Sequence, residues 1–330
     1  MSAKSRSPKA GSPKAGSAAA PLGPAANGSA AVSPRRPCPC GSGKRYKACH
    51  GADGGAADVI VTRPFGGLAA ECQLVALREF VPSATAPLPL TDPGELGVTL
   101  ATVLPMAAAA IVQADGSMLV GLQVQTRSGD VSRDLGRAVR WALDAEPGDV
   151  LPVVNAGTAG GAEVRLQDLL APDARLDVTM HPDFSWWVPG GAPPSGEVAL
   201  SLERANAAIM PTEAVTSDGA YWVDAGEKAH IRWVRPEPEE RLLAAMARLA
   251  ARDQLDLGEG SRYAGSFRAH GVLVPVWDLD RERHARQWVP GAEAFASRLD
   301  GALASLDGEP LAEPERRARD GLRGRQVTLR

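Results

Sequence analysis

Three of the four cysteines in this chain and one of its five histidines lie within thirteen consecutive residues. They are Cys38, Cys40, Cys49 and His50, and their spacing is C-x-C-x8-C-H. Three thiolates and one imidazole form a closed tetrahedral donor set for Zn²⁺, which leaves no coordination position for a substrate. A segment this short has no hydrophobic core of its own, so metal binding would supply its folding free energy. We therefore predict one structural zinc ion here.

Two other interpretations of the cysteine-rich segment fit its spacing less well. A disulfide is disfavoured for a cytosolic C-x-C pair beside Cys-His. The run GSGKR resembles the end of a phosphate-binding loop, but that motif requires glycine where Cys38 stands and serine or threonine where Arg45 stands. The remaining cysteine, Cys72, lies on the apolar face of a predicted helix. It is expected to be a core residue rather than a fifth ligand or a nucleophile.

Residues 37–51, PCPCGSGKRYKACHG, closely resemble the SEC-C motif, a small zinc-binding module named for the C-terminus of the SecA translocation ATPase. The likeness includes the four ligand positions, the Gly-Ser-Gly loop, the basic-aromatic run and the closing glycine. It implies zinc ligation by Cys38, Cys40, Cys49 and His50. It also implies that the module faces its partner with Lys44, Arg45, Tyr46 and Lys47.

The same resemblance indicates what kind of partner to expect. In the translocase this module contacts an export chaperone with an acidic surface and also associates with ribosomes. The translocase motor is absent here, because the chain has no Walker motif and 330 residues could not contain the motor. We therefore expect an acidic chaperone-like protein or a ribosome as partner. The whole chain also resembles a family of uncharacterised bacterial proteins built from such a knuckle and a body of unknown function.

The charge of the chain is unevenly distributed. Its net charge is −3, yet residues 1–51 contain nine basic residues and no acid, so the remainder carries −12. A basic arm on an acidic body favours an acidic or polyanionic partner for the arm, including RNA, although such tails also simply maintain solubility. No apolar run approaches the roughly 20 residues of a membrane helix. With clustered, reduced cysteines and no secretory signal, we expect a cytoplasmic protein.

Changes in composition along the chain predict five segments. Residues 1–34 are rich in Ser, Pro, Ala, Gly and Lys, with SPKAG repeated in tandem, and are expected to be a disordered basic tail. The knuckle follows at 35–52, and small residues form a hinge at 53–58. An α+β domain is expected over 59–311. Residues 312–330 carry six of the arginines and are expected to be a basic C-terminal tail, able to reach RNA or simply frayed.

Periodicity within the body predicts individual helices and strands. Helices are expected at 68–80, at 133–143 with Ser132 as cap, from Pro238 to Ala251, and at 292–306. Strands are expected at 98–104, at 118–125, from Gly196, near Tyr221, near His230 and at 271–280. The mixture lacks strict βαβ alternation and therefore favours an α+β fold. The order strand, strand, helix recurs, which hints at two similar halves.

No complete catalytic motif occurs in the body, so an enzymatic function depends on scattered polar residues. The best candidates are His181 and Asp183 in HPDFSWW, together with His270 and Asp278, which a hydrolase could use. The alternative is that the nearby tryptophans fill cores or line a peptide groove while the acids stay solvated. The sequence favours a zinc-binding adaptor, with a hydrolase tethered by the knuckle as the second hypothesis.

Overall fold

The structure is a computed structural model that describes residues 35–36, 45, 60–92, 97–124, 128–154, 164–188, 196–325 and 327, without the side chains of 197 and 198. The predicted disordered tail at 1–34 and the predicted hinge at 53–58 lie outside these ranges. So do all knuckle residues from 37 to 51 except Arg45. Within the described ranges no helix is long and apolar enough to cross a membrane.

Among its described residues, the first half of the body contains two α-helices and a mixed six-stranded sheet. The helices are α1 (Glu71–Glu79) and α2 (Val131–Asp144). The strands are β1 (Ala84–Pro87), β2 (Val98–Ala101), β3 (Ala110–Val112), β4 (Met118–Gly121), β5 (Val150–Leu151) and β6 (Thr179–Met180). Their order in the sheet is β5-β3-β4-β2-β1-β6, and β2 and β4 are parallel while the other pairs are antiparallel. The helix predicted at 68–80 and the strands predicted from 98 and from 118 are confirmed.

The second half contains an antiparallel five-stranded sheet and four helices among its described residues. The helices are α3 (Gly196–Ala207), α4 (Glu239–Ala250), α5 (Val289–Ser305) and α6 (Glu313–Arg323). The strands are β7 (Thr212–Ala214), β8 (Ala220–Asp224), β9 (Ala229–Trp233), β10 (Ser261–Ala269) and β11 (Val272–Leu279). Their order is β10-β11-β9-β8-β7. The fold is α+β, as predicted, but the two sheets differ in strand order and direction and do not repeat a common unit.

The second sheet is buried on both faces. Leu273 and Trp277 of β11 belong to a core with α4 and α5, whereas Val272 and Val274 belong to a core with α1 and the first sheet. We call these the helix face and the α1 face. On the α1 face, the ring of Phe80 makes edge contacts with Tyr221 and Phe267 at centroid distances of 5.9 and 6.4 Å. Burial on both sides explains why β11 has a nearly continuous apolar sequence.

The N-terminus of α2 differs from the prediction in its capping residue. Asp130, not Ser132, is the N-cap, and its carboxylate accepts hydrogen bonds from the Ser132 and Arg133 amides at 3.1 and 3.4 Å. Arg165 in turn donates from Nε to Asp130 Oδ2 at 2.8 Å. The Ser132 hydroxyl instead accepts a hydrogen bond from the Leu166 amide at 3.0 Å. Asp130 therefore binds the Arg165 side chain and Ser132 binds the Leu166 backbone, and together they anchor the loop at 165–166 to the helix.

In the second half the sequence prediction was wrong for α3 and missed β10. The strand predicted from Gly196 is helix α3, because its Glu, Ala and Leu residues favour helix and the apparent alternation is short. Strand β10 was missed because Gly265 interrupts it at a β-bulge. At this bulge a Cβ on Gly265 would lie 2.7 Å from the Arg325 carbonyl oxygen. The chain needs glycine here because Arg325 and Val327 lie beside β10, each joined to Ser266 by a backbone hydrogen bond, of 3.1 and 3.0 Å.

Within the basic tail predicted at 312–330, Glu313–Arg323 form helix α6, which packs against α4. The two helices are joined by a buried ion pair, in which Arg248 of α4, 2% exposed, donates to Glu315 of α6 at 3.1 Å. Leu322 of the same helix is also buried. The alternative of a frayed end is wrong for these residues. Its arginines indicate a solvated segment, but a helix needs only one apolar face to pack against the body.

We expect Glu315→Gln to destabilise the body by about 3 kcal/mol, because it leaves the buried Arg248 guanidinium without its counter-charge. Urea denaturation followed by circular dichroism measures the change. The matched control is Glu313→Gln on the same helix, whose carboxylate is exposed and pairs only with nearby arginines. That control should change stability by less than about 0.5 kcal/mol. Equal effects of the two variants would show that α6 does not depend on the buried pair.

Candidate functional site

The predicted zinc ligands Cys38, Cys40, Cys49 and His50 lie outside the described residues, and so do Lys44, Tyr46 and Lys47. Arg45 is the one predicted partner-facing residue that is described, and its side chain is exposed. The donor set itself, three thiols and an imidazole in thirteen residues, has the chemistry of a structural zinc site. The part of the chain with described coordinates contains no other group of three or more potential ligands.

Cys72 does not extend this donor set. Its side chain is partly buried and packs against the core shared by α1 and both sheets. Burial raises the pKa of the Cys72 thiol to about 12, so it is protonated at neutral pH. A metal ligand or nucleophile must be a thiolate, so this position is a packing residue, as its place on the apolar face of α1 predicted.

His181 and Asp183 form a structural turn at the edge of the first sheet. His181 Nε2 lies 2.9 Å from the Thr85 hydroxyl, and its ring packs on Trp186 at a centroid distance of 5.4 Å. The Asp183 carboxylate accepts a hydrogen bond from the Ser185 amide at 2.8 Å. Burial lowers the pKa of His181 in spite of the neighbouring Asp183. Both side chains therefore make local contacts that stabilise this turn.

His270 lies in the turn before β11 and Asp278 lies near the other end of that strand, so they are about 20 Å apart at about 3.3 Å per strand residue. His270 occupies the tight turn between β10 and β11 at a φ of 47°, and its Nε2 donates to Glu79 Oε1 at 2.8 Å. Its ring also packs edge-on against Phe65. No contact among the described residues joins this pair to His181 and Asp183, so the four hydrolase candidates do not form one site.

Asp278 instead lies in a cluster of charged groups that the sequence analysis did not assemble. It accepts hydrogen bonds from Lys228 Nζ at 2.8 Å and from Arg262 at 3.1 Å. His230 Nδ1 lies 3.3 Å from the other carboxylate oxygen, without hydrogen-bond geometry. Burial raises the pKa of Asp278, but the hydrogen bonds from Lys228 and Arg262 outweigh it and hold the pKa below its usual range.

The same face of the second sheet carries a buried arginine, Arg232, next to His230. The strand sequence AHIRWV alternates, so Ile231 and Trp233 point to the helix face while His230 and Arg232 point to the α1 face. This alternation was the available sequence signal for the cluster. Burial lowers the pKa of His230. The nearby Asp278 raises this pKa by a smaller amount, and Arg232 and Lys228 lower it further, so the imidazole is neutral at pH 7.

A small apolar cavity lies between α1, α2 and the first sheet, with Arg78 and Asp134 in its lining. Arg78 donates to the Leu122 carbonyl, and burial lowers its pKa. Burial raises the pKa of Asp134, although Ser128 donates hydrogen bonds to it. Because Arg78 and Asp134 carry opposite charges and interact with each other, the cavity has little net attraction for a charged ligand.

Comparison with known families separates the chain into the same two parts. A model of the DUF5926 family, described as a family of unknown function, matches residues 64–330. The chain belongs to DUF5926. A SEC-C motif matches residues 37–52, which confirms the resemblance found in the sequence. Neither the curated proteins nor the solved structures contain a match to the chain.

The extent of the DUF5926 match agrees with the packing of the body. It includes α1 near its start and α6 near its end, so it covers both buried cores. It also includes the charged cluster around Asp278 and the buried Arg232. The SEC-C motif lies before it, separated by residues 53–63. The candidate metal-binding part and the α+β body are therefore distinct units of sequence.

The contact between Glu79 and His270 predicts how the body responds to acid. The hydrogen bond from His270 lowers the pKa of Glu79 more than burial raises it. The stability that depends on this carboxylate is therefore complete above the ordinary carboxyl pKa of about 4.3, and it is lost as the pH falls through the lowered pKa. We expect Glu79→Gln to destabilise the body at pH 6 and to have a smaller effect at pH 3. Urea denaturation at both pH values measures this difference.

The matched control is Glu146→Gln, because Glu146 is exposed and lies outside both cores. It should behave like the parent protein at both pH values. A loss of stability in Glu79→Gln that is the same at pH 3 and pH 6 would show that the carboxylate charge is not involved.

Proposed function

We propose that this protein is a cytoplasmic zinc-binding adaptor, in which the SEC-C module docks onto an acidic chaperone-like protein or a ribosomal surface and the DUF5926 body is carried with it. The observation that supports this most is the SEC-C match at residues 37–52 with every ligand position occupied by Cys or His. Zinc would be held by Cys38, Cys40, Cys49 and His50. Its contribution would be the folding free energy of the module.

Electrostatics supports docking through the basic-aromatic run of the module. Three thiolates, a neutral imidazole and Zn²⁺ sum to a charge of −1, which Lys44, Arg45 and Lys47 reverse. Tyr46 adds an aromatic surface of the type enriched in protein interfaces. The partner this composition fits is an acidic protein surface or the phosphates of ribosomal RNA.

The arginines of α6 contribute less to such a basic surface than their number suggests. Arg316 and Arg317 lie 2.6 and 3.4 Å from Glu313, and Arg323 pairs with Glu240. These side chains already have carboxylate partners within the body. The basic residues of the first 51 positions have no acid among them, so contact with RNA would be made from that end.

We expect Cys38→Ser and Cys49→Ser to lose zinc while the DUF5926 body keeps its cooperative thermal transition, because residues 53–58 are small and separate the two units. Elemental analysis and calorimetry on the same preparation measure both properties. The matched control is Cys72→Ser, which should retain one zinc per chain. A body that no longer melts cooperatively in Cys38→Ser would contradict the independence of the two units.

Charge reversal at Lys44, Arg45 and Lys47 should weaken binding of the partner and make that binding less sensitive to salt concentration, because it removes attractive charges. Zinc should be retained. Co-purification from cell extract followed by mass spectrometry identifies what the parent protein retains and these variants lose. The matched control reverses Lys4, Lys9 and Lys14, which changes the net charge equally. An equal loss in the control would indicate a general attraction, and loss of zinc would mean that the three basic residues serve the fold.

A further inference from the structure

Arg232 is a buried guanidinium on the α1 face without an internal counter-ion. The residue is 4% exposed and lies on β9 between Tyr221 of β8 and Val276 of β11. Its Nε is completely buried and has no hydrogen-bond partner. Across the described ranges, no residue forms a hydrogen bond or an ion pair with this side chain. A buried arginine is ordinarily paired, because an uncompensated charge is costly to remove from water.

Arg248 shows how the same chain satisfies a buried arginine when the role is structural. It is 2% exposed, and its guanidinium donates to Glu315, to the Ser305 hydroxyl at 2.5 Å and to the Glu309 carbonyl at 2.8 Å. Its charge and its N–H groups are thus both matched by α5, α6 and the loop between them. Arg232 is buried to nearly the same degree and has none of these partners.

Contact with Phe80 does not replace the missing partner. The Arg232 guanidinium carbon lies 5.7 Å from the centroid of the Phe80 ring. A cation–π contact interacts with the face of the guanidinium, whereas its N–H groups point outward in its plane and need acceptors. Burial lowers the pKa of Arg232 to about 10, so the group is still charged at neutral pH. The requirement for an acceptor of negative charge therefore remains.

The neighbouring cluster places further positive charge on the same face of the sheet. Lys228 and Arg262 have side chains that are 55% and 77% exposed, and both donate to the same carboxylate, Asp278. No contact joins that carboxylate to Arg232 among the described residues. With Arg232, the cations on this face outnumber this single acid, and the partly buried His230 lies two residues before Arg232 on β9. Such an excess of positive charge attracts small anions.

We propose that Arg232 is the anchor of an oxyanion-binding site on the α1 face, which takes the carboxylate or phosphate group of a small ligand. The planar fork of a guanidinium matches two oxygens of either group. Lys228 and Arg262 would attract the ligand, and Arg232 would hold it. This site belongs to the DUF5926 body and does not depend on the zinc module.

The test measures thermal melting of the full chain in sodium phosphate, sodium acetate and sodium chloride at matched ionic strength. A ligand that binds only the folded protein raises the melting temperature, by about 3 °C at ten times its dissociation constant. We expect a rise in phosphate or acetate above that in chloride. A rise in phosphate alone assigns a phosphate ligand, and a rise in acetate assigns a carboxylate. No rise above chloride in either salt would overturn the proposal.

Variants connect the rise to the proposed anchor. Arg232→Met should abolish it, and Arg232→Lys, which keeps the charge but loses the fork, should weaken the apparent affinity about tenfold. The matched control is Arg268→Met on β10, whose exposed guanidinium pairs with Glu239 and which should keep the full response. If Arg232→Met does not fold, the comparison rests on Arg232→Lys. An unchanged response in the folded Arg232 variants would overturn the assignment.

Discussion

Helix α1 is held in place by apolar packing along its length and by a hydrogen-bonded carboxylate at each end. Arg63 donates two hydrogen bonds to Glu71 at the start of the helix and a third to the Pro236 carbonyl. His270 donates to Glu79 at its end. These contacts come from the segment before α1, the loop after β9 and the turn between β10 and β11. Because all of them converge on one short helix, its position couples the first sheet to the second.

The packing around α1 also determines where the second sheet carries polar groups. The helix face of the second sheet is filled by the aromatic core with α4 and α5, in which Trp233, Trp277 and Phe295 contact one another. The α1 face combines an apolar core around Phe80 with polar groups. Arg232 lies against the Phe80 ring, and His230 and Asp278 lie further along the same face. The charged cluster of the second sheet therefore shares the face that packs on α1.

Sequence reasoning succeeded where a pattern is local. The spacing of Cys38, Cys40, Cys49 and His50 identified the SEC-C motif, and apolar periodicity located α1, α4, α5 and the strands near Tyr221 and His230. It failed where a distant contact decides the outcome. The sequence around Glu315 does not indicate that Arg248 will contact it. The alternation in AHIRWV does not indicate that both faces of β9 are covered. The cluster around Asp278 requires the pairing of three strands, which no single segment encodes.

Strand β10 is at the border of the second sheet, and Arg325 and Val327 lie on its outer side beside Ser266. Unpaired backbone groups on such a border are a template for association with a second molecule. Here the chain satisfies part of that border with its own residues, and the glycine at 265 provides the close fit. Any process that pulls Arg325 and Val327 away from the body would free the backbone amide and carbonyl of Ser266, and unpaired groups on a sheet border can pair with a second chain.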